Sequence, residues 1–279
     1  MQVLDALKHH RPTYLTESPW TETPWANGQT KSDFDRLFDY FALAPELFKQ
    51  GDQLGKVDPF TSLKMTIKTI DQCFEVDAGV EQFFQEFVAS TSPKPPFWPE
   101  LSKVSSYGRV TGDEDDSRGK VFPVAFHFAD LRTANICLYY WSTLLMLWSG
   151  LCQLYRHLSG LSSRGVDVER LFNSLEYENK SEAFYDKEEL HQSATGRIPP
   201  LGHRTDFASI AWNICQSVEY CMQDEMLGMG PQALAVPLQT VVETMKAVPS
   251  CERQVRWAEL VLESIRKEKG IRILKYASQ

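Results

Sequence analysis

The chain has 279 residues, and its 37 acidic and 29 basic side chains give a formal net charge of −8. Lysine and arginine form no continuous basic stripe, so this chain by itself is not expected to bind nucleic acid or an anionic membrane. Its 43% hydrophobic residues provide ample material for a core. We predict a single domain over 1–279.

The amino-terminal sequence, MQVLDALKHHRP, lacks the apolar core of a signal peptide, which predicts an intracellular location. The six cysteines fit buried free thiols in a reducing compartment. No two of them have CxxC spacing, and Cys215 and Cys221 would point to different sides of a helix. We therefore predict no metal site. No cofactor motif, such as a glycine-rich phosphate loop, is visible, so no cofactor is expected.

Residues 10–25 are rich in proline, threonine and tryptophan, which predicts an extended segment rather than a helix. Its two tryptophans, Trp20 and Trp25, are expected to dock onto helices. The apolar spacing that follows predicts a helix over about 33–49, bent at Pro45.

A second helix is predicted from Pro59, which suits a first helical turn, to about residue 90. Its helical period is clear, although Ala78-Gly79 is expected to break it. The proline-rich residues 91–99 then end the helix. A polar, acidic and variable loop over about 103–120 follows.

The longest periodic segment of the chain runs over 127–158 and contains no proline. Its apolar residues keep helical spacing for roughly eight or nine turns of 3.6 residues. A membrane span would need roughly 20 apolar residues. This run is shorter, with Arg132, Asn135 and Arg156 near its ends, so we predict a buried central helix instead.

A second variable, polar insertion is predicted over about 162–202, with short helical patches at about 168–177. Three helices are predicted to close the chain, over about 205–223, 231–248 and 251–269. Thr205 would cap the first, and Pro237 would kink the second or mark its true start. No alternating pattern of useful length predicts a strand. The predicted fold class is all-α, an irregular multi-helix bundle around the long central helix with polar insertion loops.

Four residues are candidate catalytic residues. His127 and Asp130, at i and i+3, would share one helix face, an arrangement suited to a carboxylate-oriented general base. A surface pair, or an interaction with the helix N-terminus, would explain them as well. His203 and Asp206 have the same spacing, and Asp206 also suits the first turn of a helix.

Polar side chains interrupt the most apolar helices, where a buried polar group needs a partner. The helices that carry Asn135 and Asn213 have the densest apolar stripes, so we expect these helices to lie together. Each amide would then be hydrogen-bonded, as is commoner, or exposed to a pocket. The candidate ligand-binding residues are Asn135, Tyr139, Trp212, Asn213, Glu219 and Tyr220.

Residues 11–25 read RPTYLTESPWTETPW and are soon followed by KSDFDRLFDYFALAPELF. The central segment reads HFADLRTANICLYYWSTLLML. The last part contains IAWNICQSVEYCMQDEMLGMGPQALAVPLQTVVETM and CERQVRWAELVLESIRKEKGIRILK. In this order the segments resemble the fungal-specific transcription factor domain, the regulatory region of fungal zinc-cluster (Zn2Cys6) regulators. The resemblance covers most of the chain, with the two polar insertions as variable regions.

This resemblance implies an all-α regulatory fold that binds a small hydrophobic effector or a protein partner, with a nuclear location. Members of the family normally begin with six closely spaced cysteines that hold zinc and read DNA. Here no CxxC pair is present, so that module is missing from this sequence. The chain is expected to be a fragment or a standalone relative, without nucleic-acid binding of its own.

A second interpretation is a standalone relative recruited as a cytoplasmic, cofactor-free enzyme of fungal secondary metabolism, for example an isomerase, cyclase or dehydratase. Its physical basis is a set of aromatic side chains that could line a helical pocket, namely Tyr139, Tyr140, Trp141, Trp148 and Trp212. A third interpretation is a helical scaffold that forms a homodimer.

Overall fold

The computed structural model describes residues 2–103, 119–163 and 198–268. Within these ranges the fold is almost entirely helical, with a small two-stranded sheet, which confirms the predicted all-α class. The helices are α1 (Gln2–Lys8), α2 (Ser18–Thr21), α3 (Asp33–Phe41), α4 (Ala44–Gln53), α5 (Pro59–Thr91), α6 (Leu131–Ser163), α7 (Phe207–Gln216), α8 (Val218–Cys221), α9 (Met229–Met245) and α10 (Glu252–Glu268). The strands are β1 (Phe97–Leu101) and β2 (Val124–Phe128).

Helix α6 is the central helix that the sequence predicts. It contacts α3, α5, α7 and α9, and the side chains of Ile136, Leu144 and Leu151 are buried. One continuous cluster of buried apolar residues joins it to these helices and to α10. None of the helices in the described ranges combines the length and the apolar run that crossing a membrane requires.

Helix α5 packs beside α6 and runs without a break. Asp58 caps it, since its Oδ1 accepts the backbone N–H groups of Phe60 (3.0 Å) and Thr61 (3.1 Å). The predicted break at Ala78-Gly79 is wrong. Gly79 allows close packing instead, because a Cβ at this position would lie 2.8 Å from the Tyr40 ring of α3.

The bent helix predicted over 33–49 is in fact two helices, α3 and α4. Ser32 caps α3 in a capping box with Asp35, in which each side chain accepts the other residue's backbone N–H. Pro45 lies in the first turn of α4, where backbone N–H groups have no intrahelical acceptor, so the N–H that proline lacks is not missed. The proline therefore starts a new helix rather than bending one.

Strands β1 and β2 form an antiparallel pair, so the expectation of no strand is wrong. The hairpin packs on α6 through an aromatic cluster. Phe97, Phe126 and Phe128 surround Trp141, with ring centroids 5.1, 5.8 and 6.3 Å from it. Pro99 fits within β1 because an edge strand can accommodate a residue that donates no hydrogen bond.

The first of the three closing helices begins later than predicted and is interrupted. A 3-10 turn, Gly202–Asp206, precedes α7, and Asp206 rather than Thr205 caps α7. Ser217 separates α7 from α8, and its hydroxyl donates to the Asn213 carbonyl oxygen at 2.8 Å. A serine bond to the backbone one turn earlier bends helices, which accounts for the interruption.

The last two helices follow the prediction more closely. Helix α9 begins at Met229 and holds Pro237 in its interior, so this proline does not mark the start of the helix. Helix α10 packs against α9 and buries Ala258 and Val261. The helical patches predicted at about 168–177 lie outside the described residues, as does most of both predicted insertions.

The segment over 10–25 is not extended, contrary to the prediction. It forms 3-10 turns at Tyr14–Thr16 and Thr23–Trp25 on either side of α2. Trp20 is 52% exposed and contacts Tyr14, with ring centroids 5.1 Å apart. Its predicted docking onto the helices of the bundle is therefore wrong. The prolines of this segment stand at the first positions of short helical turns. Proline suits both that position and an extended chain, so its presence does not distinguish the two structures.

Candidate functional site at the hairpin

His127 and Asp130 do not share a helix face, so the predicted pair is wrong. His127 lies in β2, whereas Asp130 follows the strand and precedes α6. The Asp130 carboxylate accepts the Thr133 backbone N–H at 2.7 Å, which caps α6 and lowers the pKa of Asp130. Residues that precede a helix cap have non-helical backbone angles, so the backbone of His127 is extended rather than helical.

A different carboxylate, that of Glu100 in β1, lies beside His127. The strand register places Trp98 opposite His127, and Glu100 is the next residue on the same face of β1. Its Oε2 lies 3.6 Å from Nε2 of His127. The Trp98 indole N–H donates to Oε1 of Glu100 at 3.1 Å, and this bond, with a further one from Lys103, lowers the pKa of Glu100. Glu100 is therefore ionised at neutral pH.

Two aromatic rings enclose the His127 imidazole. Trp98 stacks beside it with centroids 6.4 Å apart, and Tyr220 of α8 meets it edge-on at 6.1 Å. Nε2 of His127 is buried and has no hydrogen-bond partner among the described residues, since 3.6 Å to Glu100 exceeds hydrogen-bonding distance. Buried polar atoms without a partner are uncommon in folded proteins, so this nitrogen is the centre of the candidate site.

Helix α8 supplies the other side of the site. Glu219 is buried, and its Oε1 accepts the Lys103 backbone N–H at 2.9 Å, which ties the chain after β1 to α8. Burial raises the pKa of Tyr220, and the nearby Cys221 and Asp130 add to the effect. The phenol of Tyr220 therefore stays protonated at neutral pH.

The structure thus brings together four of the predicted site residues, although not on one helix: His127, Asp130, Glu219 and Tyr220. The sequence reasoning missed Trp98 and Glu100. Trp98 lies within the proline-rich residues 91–99 and Glu100 follows directly, and their spacing puts them on one face only if this stretch is a strand. The signal was too short to identify the strand.

The other predicted ligand-binding residues lie elsewhere. Tyr139 packs edge-on against Phe34 and Phe41 of α3 at 5.1 and 5.2 Å, and burial raises its pKa to about 12. The five aromatic side chains expected to line one pocket contact different neighbours. Tyr139 contacts α3, and Tyr140 and Trp148 contact α5. Trp141 contacts the hairpin, and Trp212 contacts Phe122. They fill separate parts of the structure rather than surround one space.

Helices α6 and α7 pack against each other, as the sequence predicts. Their amide residues Asn135 and Asn213 are both half-buried. Neither amide side chain has a hydrogen bond within the described part of the chain, so the pairing expected for Asn213 is not found. At Asn213 it is the backbone carbonyl oxygen, and not the side-chain amide, that accepts a hydrogen bond from the Ser217 hydroxyl.

His203 and Asp206 do not form a pair either. His203 is exposed in the 3-10 turn before α7, and its ring meets Trp148 edge-on with centroids 5.0 Å apart. Asp206 accepts the backbone N–H of Ser209 at 3.3 Å and its hydroxyl at 2.7 Å. Asp206 therefore acts at the start of a helix, but as the N-cap of α7 and not as an acid in the first turn, which corrects the prediction.

Apart from the hairpin site, the fold contains a buried ion pair between Asp77 of α5 and Arg204. Asp77 is 4% exposed, and its Oδ2 accepts from Nε and Nη2 of Arg204 at 2.8 and 2.5 Å. The Trp148 indole N–H donates to Oδ1 at 2.6 Å. Both carboxylate oxygens are therefore satisfied, as a buried charge requires. The Arg204 guanidinium also lies 4.6 Å from the centre of the Phe74 ring.

This ion pair fastens the 3-10 turn Gly202–Asp206 to α5 and α6. The Tyr155 hydroxyl assists by donating to the Pro199 carbonyl oxygen just before the turn. In the sequence, Asp77 is distinguished by its position on the apolar face of α5, between Cys73 and Val80. A polar residue on an apolar helix face indicates a buried group that needs a partner, which identifies Asp77 but not Arg204.

Ser62 and His157 form the arrangement closest to a nucleophile and its base, with Oγ and Nε2 2.9 Å apart. The Ser62 hydroxyl, however, donates its proton to the Leu54 carbonyl oxygen at 2.8 Å, so it cannot also donate to the His157 ring. The residue is almost completely buried. The contact therefore holds α5 against α6 and is not positioned for nucleophilic attack.

Within the described ranges no group of three His, Cys, Asp or Glu side chains converges as a bound metal ion requires. The chain was compared with protein-family models, with curated proteins and with solved structures, and none of the three comparisons found a match.

Proposed function

We propose that this chain is a helical regulatory module that binds a small effector at the hairpin site and makes no DNA contacts of its own. The observation that carries the proposal is the buried, unpartnered Nε2 of His127, which lies 3.6 Å from the ionised Glu100. An unsatisfied buried group costs about 1–3 kcal/mol. A ligand that draws Glu100 and His127 into bonding distance would recover part of this cost.

The residues around the imidazole define the chemistry of the ligand. Trp98 is 37% exposed and offers an apolar ring face at the rim of the site. Glu100 provides a charged acceptor, and the protonated Tyr220 phenol provides a donor. These groups suit a small planar molecule with an aromatic or conjugated ring and one polar substituent.

Two features of the sequence support a regulatory role. The ordered segments resemble the regulatory region of fungal zinc-cluster regulators, and such a module would act in the nucleus. The net charge of −8 and the lack of a basic stripe argue against DNA binding by this chain. Contact with DNA would then come from another protein or from another part of a longer chain.

The carboxylate beside the histidine favours a second candidate function, that of a cofactor-free isomerase, cyclase or dehydratase. Glu100 would orient His127 as a general base and stabilise its protonated form. The Tyr220 phenol would donate a hydrogen bond to charge that develops on the substrate. This enzyme would act in the cytoplasm, on a substrate of the same planar class.

Thermal stabilisation by ligands tests the effector site. Screening planar aromatic and conjugated acids, alcohols and amines should find compounds that raise the Tm, as mass action requires for a ligand of the native state. His127→Ala and Trp98→Ala should abolish the shift. Trp20→Ala removes an exposed tryptophan outside the site and should leave the shift unchanged. A compound that still stabilises both site variants would contradict the proposal.

Mass spectrometry of the recovered compound separates the two candidate functions. An effector is recovered unchanged, whereas conversion that is lost in Glu100→Gln would establish the enzyme instead. Binding to a mixed-sequence DNA duplex and the zinc content of the chain are measured alongside. Tight DNA binding at physiological salt, or stoichiometric zinc, would contradict a module that makes no DNA contacts.

A further inference from the structure

The turn over 222–230, between α8 and α9, exposes large apolar side chains. Leu227 is 72% exposed and Met229 is 64% exposed, and a single residue separates them. Met222 and Met226 of the same turn are half-buried against the core. Methionine and leucine side chains that share a turn form an adaptable apolar surface, of the kind that binds partner helices.

Hydrogen bonds hold the backbone of this turn in place. The N–H groups of Met226 and Leu227 donate to the carbonyl oxygens of Gln223 and Asp224, both at 3.0 Å. Gly230 is pressed against the end of α8, since a Cβ there would lie 2.1 Å from the backbone oxygen of Cys221. The apolar side chains are therefore presented by an ordered backbone, which lowers the entropy lost when a partner binds.

Leu227 adopts a backbone conformation that side chains disfavour. Its φ is +49° and its ψ is −132°, a combination open to glycine but strained for leucine. The fold gains little from the leucine side chain, because most of it faces water. Strain and apolar exposure at one residue are both unfavourable for the isolated chain, and contact with a partner would compensate for the exposure.

The charges beside the apolar pair indicate which partner fits. Asp224 and Glu225 are exposed, and neither carboxylate has an ion-pair partner in the described part of the chain. Apolar side chains flanked by two unpaired negative charges complement an apolar anchor flanked by lysine or arginine. A second copy of this acidic chain would place like charges together, which disfavours self-association at this surface.

We infer that the turn over 222–230 is a docking surface for a basic amphipathic helix of a partner protein. Leucine or similar residues of that helix would pack on Leu227 and Met229, and its basic residues would lie against Asp224 and Glu225. The inference goes beyond the effector site and does not depend on it, because the turn contributes none of the residues that surround His127.

Binding of model helices to the full chain tests the inference by fluorescence anisotropy. The probes are two labelled peptides of about 18 residues, or five helical turns, with leucine at helical spacing. One peptide carries lysine at its polar positions and the other carries glutamate. The lysine peptide should bind at least about tenfold more tightly, and added salt should reduce the difference.

Three variants locate the binding. Leu227→Gly should weaken binding of the lysine peptide at least about tenfold while raising the Tm, because glycine removes the strain together with the anchor. Asp224→Asn with Glu225→Gln should weaken binding and remove most of its salt dependence. Leu101→Ser is the matched control, since Leu101 is 79% exposed on the hairpin and should not contribute.

Equal binding of the two peptides would overturn the inference, and so would binding that is unaffected by Leu227→Gly. Light scattering over a range of protein concentrations tests the alternative occupant. Self-association of the wild-type chain that is lost in Leu227→Gly would assign this turn to a homodimer and would also overturn the inference. A compound that binds at His127 leaves each of these outcomes unchanged.

Discussion

Glu100 of β1 and His127 of β2 lie side by side on one face of the hairpin, with Oε2 and Nε2 3.6 Å apart. A slip of one residue in the strand register would turn Glu100 to the opposite face, so the pair depends on the register of the hairpin. The imidazole is enclosed by Trp98 and Tyr220, whereas the carboxylate is partly exposed. Glu100 is therefore the more solvent-accessible member of the pair, held by hydrogen bonds from Trp98 and Lys103.

Removal of the Asp77 carboxylate should destabilise the fold strongly. Asp77→Ala leaves Arg204 without its partner and removes the acceptor of the Trp148 indole. Breaking one side of a buried ion pair costs about 3–5 kcal/mol, and urea unfolding followed by circular dichroism measures the loss. Glu86→Gln breaks the exposed pair with Arg36 and should cost far less, because solvent screens an exposed ion pair. Equal losses would show that the Asp77 pair is not structural.

The two glycines near the start of α9 should respond in opposite ways to alanine. A Cβ at Gly230 would lie 2.1 Å from the Cys221 backbone oxygen, so Gly230→Ala should destabilise by about 1–3 kcal/mol or more. Gly228 has no atom within 4 Å of such a Cβ, and its φ is −82°. Gly228→Ala should therefore be neutral or stabilise by about 0.4–1 kcal/mol. Thermal melts that rank the two variants in the reverse order would contradict the packing of this turn.

The parts of this fold that could be predicted are those with local causes. The course of α6 follows from apolar periodicity along a single segment. The sequence places the start of α7 within one residue, at Thr205 instead of Asp206, because capping depends on residues within one turn. Strand β1 is short and contains Pro99, so neither an alternating apolar pattern nor strand propensity identifies it. Its pairing with β2 is non-local and leaves no local signal either. The Asp77–Arg204 pair joins positions 127 residues apart, which no local pattern can connect.

The cap at Asp130 should make stability depend on pH in acid. The Thr133 N–H stabilises the charged carboxylate and lowers its pKa from the ordinary 3.8. This contribution is fully present above the ordinary pKa and is lost as the pH falls through the lowered one. Asp130→Ala should therefore cost about 0.5–2 kcal/mol at neutral pH, and less in stronger acid. Urea unfolding of both proteins across this range measures the difference, and a constant difference down to about pH 2 would rule out the cap.

Thiol labelling of the native chain should modify Cys152 before the other cysteines. Burial raises the pKa of Cys73 to about 12 and also raises the pKa values of Cys137, Cys215 and Cys221. Burial also raises the pKa of Cys152, but this thiol is only half-buried whereas the other five cysteines are buried. Iodoacetamide at about pH 8 followed by peptide mass spectrometry gives the order of labelling. Rapid modification of Cys215 would show that α7 does not pack on α6 as described.

A crystal structure of the chain with its strongest stabilising compound is the most direct test of the effector site. We expect the ring of the compound to lie on Trp98, with its polar group within about 3 Å of His127, Glu100 or the Tyr220 hydroxyl. In that complex, Oε2 of Glu100 should lie closer to Nε2 of His127 than the present 3.6 Å. A compound bound beside Tyr139 or Trp212, with the hairpin site unchanged, would contradict the account.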